Sequence, residues 1–267
     1  MVRRGTRLMV GALVVVMCLA TGNAFATSAK DAKIELLAMA QKLAKAKRFS
    51  VTIRMGYDVV QKSGQKIEFG EVRKVILERP NHLRVDVKQS DGDIGGAIYD
   101  GKRFIQFSQT YKVYGILDLP DWIKNTDDMV KFAVAEMDVR IPLARMLVTD
   151  FPQEIQRLTK EVFFVEKDVL GPKPTDHIAG RTDEVDYQVW IGKDKLPTRV
   201  VITYKNEPGE PQFWANFSNW SFNPKVGAST FTFTPPKGFE KIPFVIPLKR
   251  TDVAGENAAK ETKGKEK

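Results

Sequence analysis

Between Phe49 and Val59 the chain alternates one residue at a time: Phe49, Val51, Ile53, Met55, Tyr57 and Val59 are separated by Ser50, Thr52, Arg54, Gly56 and Asp58. A period of two puts every apolar side chain on one side of an extended strand. A run of about 11 residues is also longer than the five or six of an ordinary strand, which points to a broad sheet with one buried face. The turns that follow repeat the pattern. Lys62-Ser63-Gly64 leads into Ile67–Glu78, Pro80-Asn81 into Leu83–Lys88, Ser90-Asp91-Gly92-Asp93 into Ile94–Tyr99, and Asp100-Gly101 into a strand from Lys102. Gly, Pro, Asn and Asp at these points supply turn geometry between antiparallel neighbours.

Two segments break this meander. Ser28–Lys47 carries Leu36, Met39, Ala40 and Leu43 at helical spacing, with Asp31 in what reads as its acidic first turn. From Pro120 to about Arg157 the turn dipeptides disappear. There Thr126 reads as a helix cap before Asp127 and Asp128, with Met129, Phe132, Ala133 and Met137 at helical intervals, and Pro142 opens Leu143–Val148. Strand signals resume at Val162–Val165 and Ile178, then over Asp186–Ile191, Arg199–Tyr204, Gln212–Phe222 and Phe231–Thr234. Roughly ten antiparallel strands curl or close on themselves. The expected fold is therefore mainly β with added helices (α+β): a curved antiparallel sheet, an unclosed β-barrel, with a helical lid.

The amino end places this fold outside the cytoplasm. Arg3, Arg4 and Arg7 precede an apolar run from Leu8 to Ala20, and Ala24-Phe25-Ala26 is a small-x-small cleavage site. About 13 apolar residues are too few for a membrane span, which needs roughly 20. Cleavage after Ala26 takes 26 residues from 267 and leaves 241, and it removes Cys18, the single cysteine. An exported protein without disulfides must rely on an ordinary core, and this length accommodates one. The expected organisation is a signal peptide over 1–26, a single domain over 27–248 with a helical insert at about 120–158, and a disordered basic tail over 249–267.

Composition excludes several function classes. The formal charge of +9 falls to +6 with the leader's three arginines removed, and the remaining Lys and Arg are interspersed with acids, which argues against nucleic acid as a partner. His82 and His177 are the only histidines, and neither has a second ligand at metal-binding spacing on its own element. Asp91 and Asp93 read as a solvated turn, and Asp183, Glu184 and Asp186 as a solvated strand edge. No nucleophile elbow, phosphate-cradling loop or zinc helix occurs. The expectation is a protein with no catalytic residue, no metal and no cofactor.

Aromatic residues instead crowd the second half: Trp190, Phe213, Trp214, Phe217, Trp220, Phe222, Phe231 and Phe233. By parity Trp214 and Trp220 share one face of a strand and Phe213 and Phe217 the other. Such a strand needs cover on both sides. The methionines of the insert suit a surface that accepts varied apolar partners.

The chain resembles known families in particular residues. Glu78-Arg79-Pro80-Asn81-His82-Leu83-Arg84-Val85 and Tyr99-Asp100-Gly101-Lys102, following the first helix and the Phe49 strand, look like the outer-membrane lipoprotein carriers LolA and LolB. Trp190-Ile191, Leu196-Pro197, Val201-Ile202-Thr203-Tyr204-Lys205, Phe217-Ser218-Asn219-Trp220 and Phe231-Thr232-Phe233-Thr234-Pro235-Pro236 resemble a family of predicted periplasmic proteins of unknown function (DUF2092-like), grouped with that fold. The resemblance implies an unclosed barrel whose helical lid covers a hydrophobic cavity for acyl chains.

The expected function is that of a periplasmic binding or carrier protein for an amphiphile, a lipid or a lipid-modified protein. It would act as a monomer without catalysis, in contact with membrane-associated or envelope proteins. The residues expected to line the cavity are Val51, Ile53, Met55 and Tyr57 from the first long strand and Trp122, Met129, Phe132 and Met146 from the insert. The alternative is an envelope stress sensor or adaptor that binds another protein through the same fold.

Overall fold

The structure, a computed structural model, describes residues 22–136, 143–227 and 229–244. The apolar run of the leader, the tail over 249–267, and Met137 and Pro142 of the insert lie outside the described residues. Helix α1 (Gly22–Lys45) is followed by β1 (Arg48–Val60), β2 (Lys66–Glu78), β3 (His82–Gln89), β4 (Ile94–Tyr99), β5 (Arg103–Ser108) and β6 (Val113–Asp118). The insert holds α2 (Thr126–Glu136), a 3-10 turn at Ala144–Leu147 and α3 (Phe151–Leu158). The second meander is β7 (Glu161–Asp168), β8 (Thr175–Arg181), β9 (Val185–Gly192), β10 (Pro197–Tyr204) and β11 (Gln212–Ser221), and β12 (Glu240–Lys241) ends the described chain.

All twelve strands form one sheet in the order β12-β6-β5-β4-β3-β2-β1-β11-β10-β9-β8-β7. Every neighbouring pair is antiparallel except β12 with β6. The sheet is not closed: β7 and β12 are its two edges. The two meanders join where β1 pairs with β11, with Ile53 opposite Phe217, Met55 opposite Ala215 and Tyr57 opposite Phe213.

The sheet wraps around α1. Leu117 on β6 and Phe164 on β7, from opposite ends of the strand order, belong to the same apolar cluster as Leu36, Met39 and Leu43 of α1. Strands about 4.8 Å apart would spread ten of them over more than 40 Å, so residues that far apart in a flat sheet could not share a helix about 10 Å wide. The expected curved, unclosed sheet with helices over one face is the fold observed. Curvature has a local cause in β4, where Gly95 and Gly96 come closest to their neighbours. A Cβ on Gly95 would lie 2.5 Å from the Phe107 carbonyl oxygen, and one on Gly96 2.5 Å from that of Val85. Glycine in a strand interior marks such close backbone approach at a bend.

The structure corrects four local expectations. The helix expected from Ser28 starts at Gly22, so Asp31 falls in its middle turns rather than its first. In α2 the cap is Asn125: its side-chain oxygen accepts from the Asp128 N–H at 2.9 Å. Thr126 is instead fully buried, and both its N–H and its hydroxyl donate to the Pro80 carbonyl, at 2.7 and 3.0 Å.

Phe231–Thr234 is not a strand. Its aromatic side chains lie on the outer face, Phe231 on His82 at 4.9 Å and Phe233 on Phe107 and Tyr114 at 5.1 and 5.3 Å between ring centres. The segment buries side chains against Ile76, Ile98 and Ile105 in a second small core. Its alternation therefore reflects contact with a sheet face and not a hydrogen-bonded ladder.

Trp214 and Trp220 do not share a face. The β1–β11 register shifts between Ser50 and Thr52, and Asn219 has a left-handed φ of 55°. One extra residue reverses the parity beyond it. Trp220 turns inward onto Phe49 and Phe217 at 5.6 and 5.9 Å. Trp214 stays outside, where Arg199 stands over both its ring and that of Trp190, at 5.9 and 5.5 Å.

Candidate ligand cleft on the inner face

The inner face is built by parity from every strand. On β1 it presents Phe49, Val51, Ile53 and Met55, all buried, and Val75 and Leu77 on β2 face the same way. Over them lies α1, held by its apolar stripe and by two polar ties to the β9–β10 turn. Lys42 donates to the Asp194 carbonyl at 2.5 Å, and Lys195 pairs with Glu35 at 2.5 Å.

The insert covers the rim where β2 and β4 end. Met129, Phe132 and Met146 are buried in the same cluster. Arg79 at the end of β2 donates from Nη2 to the Leu147 carbonyl at 2.8 Å. Its Nε and Nη1 are buried without a partner. Burial lowers its pKa and the Asp127 carboxylate partly offsets this. At the other end of the insert Thr159 and Tyr187 share a hydrogen bond of 2.9 Å between hydroxyls, and burial raises the Tyr187 pKa while that bond lowers it.

Six of the eight residues nominated from the sequence therefore meet: Val51, Ile53, Met55, Met129, Phe132 and Met146 are buried in one continuous apolar cluster. The other two are not buried. Trp122 is 59% exposed, with its ring edge-on to Phe132 at 5.8 Å. Tyr57, 42% exposed, lies at the mouth of a cleft.

That cleft has a volume of about 260 Å³ and opens between the β1–β2 hairpin and the start of β11. Met55, Tyr57, Tyr204, Pro211 and Phe213 give it apolar walls, and Asp58, Glu71, Arg73 and Gln212 are its polar groups. Met55 and Phe213 belong both to the cleft and to the buried cluster, so the floor of the cleft is the wall of that cluster. Beyond its mouth Tyr57 and Phe69 stack at 6.1 Å, both about two-fifths exposed.

Glu71, Arg73, Tyr204 and Phe213 were not among the nominated residues. A signal for the first two exists in the sequence. The inward parity of β2 reads Ile67, Phe69, Glu71, Arg73, Val75, Leu77, an apolar series interrupted by two charges.

A second cavity, of about 650 Å³, lies toward the other end of β2; Glu78, His82, Asp100, Lys102 and Asp118 are among its lining residues, although most of its lining surface is apolar. Its charges are largely spoken for. Arg103 pairs with Asp100 at 2.8 Å and Arg48 with Glu78 at 3.3 Å. Burial raises the Asp100 pKa, but hydrogen bonds from Arg103 and Lys102 outweigh it and hold the carboxyl below its ordinary value. Among the described residues no group of three or more His, Cys, Asp or Glu could hold a metal ion. No described helix is long and apolar enough to cross a membrane.

Comparison with known proteins places this geometry. No curated protein matches the chain. Among solved structures, an uncharacterised conserved protein from Thermus thermophilus is similar over 79% of this chain and 98% of its own, at 10% identity and a TM-score of 0.45. MucB, in the Pseudomonas aeruginosa MucA/MucB complex, is similar over 76% of this chain and 61% of its own, at 12% identity and a TM-score of 0.40. A LolA superfamily protein from Nitrosomonas europaea is similar over 77% of this chain and 98% of its own, at 7% identity and a TM-score of 0.37. At these scores none of the likenesses carries a function across. The family match is of another kind, since the model of the family described as "Predicted periplasmic protein (DUF2092)" runs from residue 32 to residue 245. The chain thus belongs to the DUF2092 family of predicted periplasmic proteins.

Proposed function

We propose that this protein is a periplasmic binding or carrier protein for an amphiphile, which it holds by burial and without catalysis. The observation that carries this reading is an open cleft whose floor, Met55 and Phe213, is part of the buried apolar cluster. An acyl chain entering past Tyr57 meets Met55 and Phe213, behind which lies the apolar cluster that holds Val51, Ile53, Met129, Phe132 and Met146. Each methylene buried there contributes about 0.8 kcal/mol before ordering costs. At about 260 Å³ the cleft is smaller than the roughly 300–1,000 Å³ of established small-molecule sites, so a long chain must displace side chains to go deeper. Met39, Met55, Met129 and Met146 in the cluster are suited to that, being unbranched and adaptable.

Native mass spectrometry of the mature protein mixed with a single-chain phospholipid tests the reading. One lipid per chain, surviving gentle desolvation, is the expected result. A chain that takes up none of a panel of single- and double-chain amphiphiles is not such a carrier.

A second reading, an adaptor for an extended segment of an envelope protein, has one observation in its favour. Among the described residues β7 is an edge strand, and Phe163 and Val165 on it and Val169 and Leu170 in the turn after it are exposed, Leu170 to 96%, although α1 packs closely against the same strand. An exposed edge is where an extended peptide can add as a further strand. The two readings separate cleanly: Leu170→Lys together with Val165→Lys leaves amphiphile uptake unchanged, whereas the adaptor reading places the whole loss of binding at those positions.

A further inference from the structure

Glu71 and Arg73 are the unexplained feature of the inner face. Register puts Arg73 between Ile53 on β1 and Val87 on β3, and Glu71 between Met55 and Gln89. The Arg73 and Glu71 side chains are 25% and 11% exposed and meet at 2.6 Å between Arg73 Nη2 and Glu71 Oε1. One contact uses a small part of what the pair can do. A guanidinium has five N–H donors and a carboxylate about four acceptor sites, and Arg73 Nε is buried with no partner. Removing two charges from water is costly, and apolar residues of the same size are often as stable or more so. Folding alone therefore gives no reason for an ion pair at the wall of an apolar cleft.

From this pair we infer that the amphiphile carries a zwitterionic headgroup, with an anionic phosphodiester held by Arg73 and a primary ammonium held by Glu71. The inference rests on the amphiphile reading above and names the class of ligand. The cleft's charges are one cation, Arg73, and two carboxylates, Glu71 and Asp58. One Asp58 oxygen already accepts from the Gln212 N–H at 2.9 Å. A ligand with only negative charge would meet the Arg73 guanidinium but also face the Glu71 carboxylate. A ligand bearing both signs a few atoms apart satisfies both members of the pair, and its acyl chain then lies against Met55 and Phe213. Charge-assisted hydrogen bonds of this kind are the strong ones.

Calorimetric titration of the mature protein with three short-chain lipids of identical tails tests the inference, using phosphatidylethanolamine, phosphatidylcholine and phosphatidylglycerol. The ethanolamine lipid binds about tenfold more tightly than the glycerol lipid, as expected when one charge-assisted hydrogen bond is made and one repulsion avoided. The choline lipid falls between them, because its trimethylammonium has no N–H to donate. Glu71→Gln, which keeps shape and an acceptor for Arg73, reduces the ethanolamine advantage to about threefold or less. Arg73→Met weakens all three phospholipids by a larger factor than it weakens a neutral diacylglycerol. Should Arg73→Met fail to fold, the isosteric Glu71→Gln decides the matter. A glycerol lipid that binds as tightly as the ethanolamine lipid overturns the headgroup assignment and leaves the carrier reading standing. If none of the lipids binds, the carrier reading falls and the assignment with it.

Discussion

Phe49→Ala will lower the stability of this protein by about 3–5 kcal/mol, the usual cost of truncating a fully buried phenylalanine. Phe49 is 1% exposed and sits where β1 leaves α1, opposite Leu77 on β2. Its ring meets Trp220 at 5.6 Å and Phe222 at 6.2 Å, tilted contacts that add to the area buried. Trp220 is fixed in its turn by a hydrogen bond from its indole N–H to the Pro197 carbonyl at 3.1 Å, so the wall around Phe49 cannot readily collapse into the space left. Domains are stable by about 5–15 kcal/mol, and this one change removes much of that margin. At a slope of about 2 kcal/mol per molar, the urea midpoint falls by about 2 M. Tyr111→Ala, at a 70% exposed residue, shifts it little and serves as the control. A loss below about 1 kcal/mol for Phe49→Ala would mean that this end of the interior is loosely filled.

Gly96→Val is expected to cost about 3 kcal/mol, through the backbone rather than the core. The atom its Cβ would strike is a main-chain oxygen, Val85 O at 2.5 Å, with the Phe107 ring at 2.8 Å on the other side. A carbonyl engaged in a strand ladder cannot rotate away as a side chain can, so β3 and β4 must separate and the sheet flattens there. Gly70→Ala in β2 is the matched comparison. Its Cβ would meet nothing closer than the Met55 carbonyl at 3.5 Å, an ordinary contact, and its φ is not left-handed. Reduced unfolded-state entropy should make that change stabilising by about 0.4–1 kcal/mol. Opposite signs in urea melts of the two variants support the bend at β4; equal costs would show that glycine is needed there for some reason other than close approach.

Much of this architecture was legible because its main signal is local. Alternation along β1, β3, β9 and β10 is imposed by the geometry of an extended backbone, so inward and outward residues could be sorted two at a time. The helical stripe Leu36, Met39, Ala40, Leu43 is buried in full for the same reason. Of the eight residues nominated to line a cavity, Val51, Ile53, Met55, Met129, Phe132 and Met146 are packed in one buried cluster, while Tyr57 and Trp122 are exposed. Local signals failed where one residue changes everything downstream. The irregularity near Asn219 reverses the parity of Trp220, and no pattern of side chains announces it. Phe231 and Phe233 alternate like a strand but are held by the outer face of others, a contact invisible in their own neighbourhood.

What the amino-acid sequence by itself determined is the list of strands and helices, the turns between them, the absence of cysteine from the described chain and the side of each element that must avoid water. Only the tertiary structure decided that β1 pairs with β11 from the far end of the chain, that the sheet stays open at β7, and that the cleft forms at Met55 and Phe213. The division has a physical cause. Periodicity is settled by dihedral geometry over a few residues, whereas strand partners some 160 positions apart are selected by the burial of the whole apolar face at once. Glu71 and Arg73 show the two levels together: their place on the inner side of β2 could be read from parity, but that they stand at the wall of an opening depends on every strand around them.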